Sequence, residues 1–184
     1  QICPGGGTTL NSGIGSVSYQ WSNGASTPAI AVTAAGNYSL TVTDANGCVG
    51  TDAVTVIQVP QLTPAITGAL AYCAGNNTQL DAGPGYASYA WSNSANTQQI
   101  TVTSPGNYAV TVTDANGCSG QTSVSVIERP LPVPQIAGNL EYCEGSSTSL
   151  SSTGTFASYN WSTGAISQSI SLNNPGNIGL TVTD

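Results

Sequence analysis

The sequence predicts an all-β chain of small antiparallel β-sandwiches repeated in tandem. Three observations predict it. Landmark residues recur every 70 positions, apolar and polar residues alternate with period two between them, and Gly, Asn and Pro clusters punctuate the alternating runs.

The recurrence sets the organisation. Trp21, Trp91 and Trp161 are 70 residues apart, as are Cys3, Cys73 and Cys143; Cys48 and Cys118 keep the same interval. Around the tryptophans run SYQWSNGAST, SYAWSNSANT and SYNWSTGAIS. Further on come AGNYSLTVTDANGC, PGNYAVTVTDANGC and PGNIGLTVTD. Ungapped agreement over ten positions in three places marks tandem copies. The copies read as residues 1–59, 60–129 and 130–184. Residues 60–70 and 130–140 open copies two and three. Copy one has no such opening segment, and copy three stops at Asp184, the counterpart of Asp114, before its closing hairpin. A chain that continues past both ends, with three lobes in a row, is the expectation.

Copy two justifies the strands in order. Leu80 marks a short strand, and Tyr89 and Trp91 share one face of the next. Ile100 and Val102 alternate with Thr101 and Thr103. Tyr108, Val110 and Val112 alternate with Ala109, Thr111 and Thr113. Val124 and Val126 alternate with Ser123 and Ser125. Such alternation gives each strand one buried and one wet face. The tryptophans Trp21, Trp91 and Trp161, with Tyr38 and Tyr108, are read as core rather than as sugar-stacking platforms. Asp44–Gly47 and Asp114–Gly117 repeat Asp-Ala-Asn-Gly. Asp suits the first turn position and Gly supplies positive φ. One carboxylate per turn falls well short of the six to eight oxygens calcium takes, so the turns are read as structural and no metal is expected. The sequons at Asn37, Asn76 and Asn160 occupy three different repeat positions and are read as by-products of composition.

Composition narrows the function. The chain has 184 residues, one basic residue (Arg129), eight acids, no His and no Met, for a net charge of −7. Phosphate binding needs clustered Lys and Arg, so nucleic acid is excluded as a partner, and an anionic membrane surface is disfavoured. No apolar run approaches the ~20 residues of a membrane-spanning helix. Ser and Thr supply a quarter of the chain while apolar residues reach 39 %, enough for a folded core. Without His, with scattered carboxylates and with no base near any Ser, no catalytic constellation is visible. A non-enzyme without cofactor is expected. Regular cysteines in such a chain point to an oxidising compartment.

These landmarks carry a resemblance. Tyr19-x-Trp21-Ser-Asn-Gly24, Ile30-x-Val32, Gly36-Asn37-Tyr38 and Thr41-Val-Thr-Asp-Ala-Asn-Gly-Cys48, with their counterparts 70 residues on, resemble the Ig-like, PKD-like repeats of large surface proteins of Bacteroidetes. Among these are gliding-motility-associated adhesins and proteins exported by the type IX system. The resemblance spans essentially the whole chain. Copy three departs at Ile178, where Tyr38 and Tyr108 stand in the others. The resemblance implies Ig-like sandwiches at the cell surface and a role in adhesion or in forming a stalk. The reading is a structural stalk or spacer in a secreted adhesin or surface filament. The alternatives are a carbohydrate-binding adhesion module, or accessory repeats of a large secreted polysaccharide hydrolase. The partners this implies are neighbouring copies, lateral self-association and a surface polysaccharide.

The cysteines test the topology. Strand parity decides whether Cys3 and Cys48, or Cys73 and Cys118, meet. The eight residues between Trp91 and Ile100 are too few for two strands of ~5 residues with turns. That favours bonds within each copy, Cys3–Cys48 and Cys73–Cys118, with the partner of Cys143 four residues past Asp184. The alternative, Cys3 to Cys118, would staple neighbouring copies end to end and require a short extra strand between Trp91 and Ile100.

Overall fold

The computed structural model describes residues 1–13, 15 and 18–184. It is all-β, and among the described residues there is no helix. Contacts divide the chain into two compact units, Gln1–Glu128 and Arg129–Asp184. The first holds copies one and two, the second copy three.

Copy one contributes β1 (Thr8–Asn11), β2 (Ser18–Trp21), β3 (Ala29–Val32), β4 (Gly36–Thr43) and β5 (Val49–Val56). β1 pairs with β3, and β2-β4-β5 form a second sheet. Copy two contributes β6 (Thr67–Gly68), β7 (Ala71–Cys73), β8 (Thr78–Asp81), β9 (Ser88–Trp91), β10 (Gln99–Val102), β11 (Gly106–Thr113) and β12 (Ser119–Arg129). Its sheets are β10-β8-β6 and β7-β12-β11-β9. Copy three contributes β13 (Ile136–Gly138), β14 (Thr148–Ser152), β15 (Ser158–Trp161), β16 (Ser169–Leu172) and β17 (Leu180–Thr183), in sheets β13-β14-β16 and β15-β17.

Each copy has its own core. In copy two, Leu80, Trp91, Ile100, Val102, Val110, Val112 and Val126 are buried together. Copy one gathers Ile2, Trp21, Ile30, Val32, Leu40 and Val56, and copy three gathers Leu150, Trp161 and Ile170. The alternating valines of β11 face inward and their threonine neighbours less so, the half-buried pattern that period two dictates. The tryptophans are 4, 4 and 2 % exposed. Their indole N–H groups donate to the carbonyls of Thr27, Thr97 and Ser167 at 2.9, 2.8 and 2.8 Å. A buried indole needs such a partner, and the bond pins the strand carrying Trp to the segment that crosses to the other sheet.

That crossing begins with a tight turn. Trp91 N–H donates to the Ala95 carbonyl and Ser94 N–H returns to Trp91. Ser94 sits at φ 69°, where Gly24 and Gly164 stand in the other copies at 87° and 84°. Left-handed backbone costs an L-residue roughly 1–2 kcal/mol, partly offset by the unfolded-state freedom a glycine would add. Ser94→Gly is therefore expected to stabilise copy two by about 0.5 kcal/mol, seen as a higher melting temperature. A lower one would show that the Ser94 side chain contributes more than its backbone strain costs.

Tyr108 and Tyr38 are half-buried and donate their hydroxyls to the carbonyls of Ser104 and Ala34 at 2.8 and 3.1 Å. At Ile178 that bond has no counterpart, and residues 174–179 carry no strand.

Candidate functional site

The feature that sets this chain apart chemically is the junction of copies one and two. Cys3 is bonded to Cys118, with Cα atoms 5.4 Å apart and a sequence separation of 115. Cys48, Cys73 and Cys143 are free and exposed. This corrects the within-copy pairs Cys3–Cys48 and Cys73–Cys118, neither of which forms.

Strand direction explains the correction. Ile2 forms a parallel bridge with Gln58: its N–H donates to the Ile57 carbonyl at 2.9 Å, and Val59 N–H donates back to Ile2 at 3.0 Å. Cys3 therefore lies at the trailing end of the copy, where the chain leaves along the closing strand β5. Cys48 immediately precedes Val49, at the leading end. Ten residues at about 3.3 Å each separate the two levels by about 30 Å, against a limit near ~7 Å between Cα atoms for a disulfide. In copy two β7 likewise flanks β12, with Ile127 N–H donating to Leu70, which separates Cys73 from Cys118. The trailing end of copy one meets the leading end of copy two, and the two cysteines found there join.

The Asp-Ala-Asn-Gly turn holds the leading-end cysteine. Asp114 Oδ1 accepts the N–H groups of Asn116 and Cys118, both at 2.9 Å, and Asp44 does the same for Asn46 and Cys48 at 2.8 Å. Gly47 and Gly117 supply φ of 82° and 81°. The N–H of the cysteine, followed by the groups of the turn Asn, holds each carboxyl below its ordinary value. These carboxylates are thus committed to their own turns. Among the described residues no group of three His, Cys, Asp or Glu gathers that could hold a metal.

A second feature is a groove of about 520 Å³ in copy one, lined by Leu10, Asn11, Trp21, Gly50, Asp52 and Val54 among others. In copy two the opening segment takes this place. Thr67 and Gly68 pair with Asp81 and Leu80, and Leu62 and Ile66 pack on the core. A Cβ on Gly68 would overlap the Gln79 carbonyl oxygen, so only glycine allows this strand its approach. The covering shows in burial: Leu80 and Val112 are fully buried, whereas Leu10 and Val42 are half-buried.

Gly50 and Gly120 occupy one repeat position in two environments. A Cβ on Gly120 would lie 2.6 Å from the Leu62 carbonyl oxygen, while one on Gly50 would meet only Val42 Cγ2, at 3.5 Å. Gly120→Ala is expected to push the opening segment away and cost roughly 1–3 kcal/mol. Gly50→Ala in the same strand should change stability by less than about 0.5 kcal/mol. Urea midpoints of the two variants separate the outcomes, and equal losses would mean that the groove position is not what distinguishes them.

No protein-family model and no curated protein sequence matches the chain. Among solved structures, it is similar to murine CEACAM1b at 12 % identity, over 70 % of this chain and 95 % of that one, with a TM-score of 0.33. It is also similar to SGBP-B of the Bacteroides ovatus mixed-linkage glucan utilization locus, solved with a mixed-linkage heptasaccharide. That match has 15 % identity over 95 % of this chain and 55 % of that one, with a TM-score of 0.22.

Proposed function

We propose that these copies are non-catalytic spacer repeats in the stalk of a secreted cell-surface adhesin or surface filament. One observation carries the reading: the Cys3–Cys118 bond joins consecutive copies rather than closing one copy on itself. A bond inside a copy serves that copy's stability. A bond from the trailing end of one copy to the leading end of the next serves the connection between them, which is what a spacer must maintain. Disulfides persist in oxidising, extracellular settings, and a chain with one basic residue offers little to an anionic partner. The carbohydrate reading draws no support from the tryptophans, because all three are buried and their N–H groups are already bonded to backbone.

The test is a series of chains extended by whole copies. Particle length in electron micrographs is expected to rise by a constant increment of roughly 35 Å per copy, the length of an eleven-residue strand. Glycan arrays are expected to stay blank for every member. Lengths that do not scale with copy number, or saturable glycan binding by the chain alone, would reject the spacer reading.

A further inference from the structure

We infer that the leading end of copy one is the receiving half of a further junction. Its groove takes the Pro-rich opening segment that leads out of a preceding copy of this repeat, and Cys48 takes that copy's first cysteine as its disulfide partner. The occupant is identified by what fills the same two places in copy two.

The first place is the groove. In copy two its counterpart is occupied by Leu62–Gly68, which closes over Gly120 and pairs with Leu80 and Asp81. In copy one Gly50 and Leu10, each 70 residues earlier, line the groove instead. The second place is the cysteine ahead of the closing strand. Cys118 is 3 % exposed and bonded, whereas Cys48 is exposed and free. The turn that presents them is the same in both copies. Asp N–H donates to the cysteine carbonyl at 3.0 Å in copy one and 2.9 Å in copy two, and Asp Oδ1 accepts the cysteine N–H at 2.8 and 2.9 Å. Cys48 is thus already held in the backbone geometry in which Cys118 is bonded. A groove and a thiol at one end, both filled in the neighbouring copy by one preceding copy, point to one occupant.

Closing the bond is an oxidation, and the oxidant is a small disulfide such as glutathione disulfide. The first thiolate attacks it, forming a mixed disulfide and releasing one glutathione. The second thiolate displaces the other glutathione. One S–S bond is broken and one formed, and the two thiol protons end on the two glutathiones.

The inference rests on the stalk reading for its tandem setting, yet it fails separately: a stalk of unstapled copies would still lengthen by a constant increment. The experiment places a second run of residues 1–70 ahead of Gln1, marked by Thr8→Ser and Val49→Ile so that its two cysteine peptides differ in mass from the originals. The added first cysteine then stands 115 positions before Cys48, the separation of Cys3 and Cys118. The chain is oxidised in a glutathione buffer, alkylated with iodoacetamide, digested with pepsin and mapped by mass spectrometry. The expected result is a bond from the added first cysteine to Cys48, with Cys3–Cys118 retained and Cys48 unreactive until reductant is added. Alkylation of Cys48 as in the original chain overturns the inference. So does a bond between the two cysteines of the added segment, or loss of Cys3–Cys118, since a junction that repeats cannot disturb its neighbour. A Cys48→Ser version of the lengthened chain reads the groove alone. The amides of residues 50–54 are expected to gain hydrogen-exchange protection there, and unchanged exchange overturns the groove half.

Discussion

Replacing Cys118 by Ser is expected to destabilise the unit Gln1–Glu128 by about 5 kcal/mol, the loop-closure entropy that a cross-link spanning 115 residues removes from the unfolded chain. For a pair of small sandwiches this is a large fraction of total stability. The bond also ties two separate cores to one another. With it intact, unfolding one copy leaves its chain tethered at both ends to the other. Without it, the copies are joined through the linker and their packing alone. Oxidised protein should therefore unfold closer to a single transition, and Cys118→Ser protein in two. Cys3→Ser should match Cys118→Ser, and the double variant should cost no more than either single one, because all three delete the same bond. Cys48→Ser, Cys73→Ser and Cys143→Ser touch exposed free thiols and should stay within about 0.5 kcal/mol of the parent. The measurement is urea unfolding under non-reducing conditions. A loss for Cys48→Ser equal to that for Cys118→Ser would restore the within-copy pairing.

The strands of copy two are legible because their apolar residues alternate: β10, β11 and β12 coincide with the runs around Ile100, Val110 and Val124. The cysteine pairing is not legible, and the reason is local. Three residues, Ala71–Cys73, carry no signal for whether their strand lies parallel or antiparallel to the closing strand. One reversal per connection gives the wrong parity. The segment Ser92–Gln98 holds no strand, consistent with its length, yet it holds an additional reversal. β9 and β12 both lie antiparallel to β11 and so run the same way, and the bridge from Ile2 to Gln58 is parallel in copy one. The turn from Cys73 to Asn76 reverses the chain into β8, and β10 is antiparallel to β8. Hence β9 and β10 run the same way, and the chain must return between them. The Trp91–Ala95 turn makes that return without a ladder, held by the indole bond to Thr97. A reversal secured by one side chain leaves no period-two pattern to read. The groove is equally hidden, since its meaning depends on comparing Gly50 with Gly120, two residues that only the fold distinguishes.

Pulled by its ends, the oxidised chain is expected to leave copy one mechanically silent. Load entering at Gln1 reaches Cys3 after two residues and passes through the disulfide to Cys118, so the backbone between them carries none of it. Only β12, the linker that follows and copy three remain in the load path. A chain extends by at most ~3.5 Å per residue, so adding reductant should lengthen the fully extended molecule by about 400 Å, the contour of the bypassed chain across a sequence separation of 115. The same reductant should introduce unfolding events from copies one and two that the oxidised chain lacks. Force–extension traces of the same protein, recorded before and after reduction, measure both effects. Equal contour lengths in the two states would show that the bond does not bridge the copies, and the spacer reading would lose the observation that carries it. A difference of the expected size would mean that the staple does for length what the sandwich cores alone cannot: under force a small β-sandwich can unfold and let the chain lengthen several-fold, whereas a covalent bond from one copy to the next holds the distance between them until it is reduced.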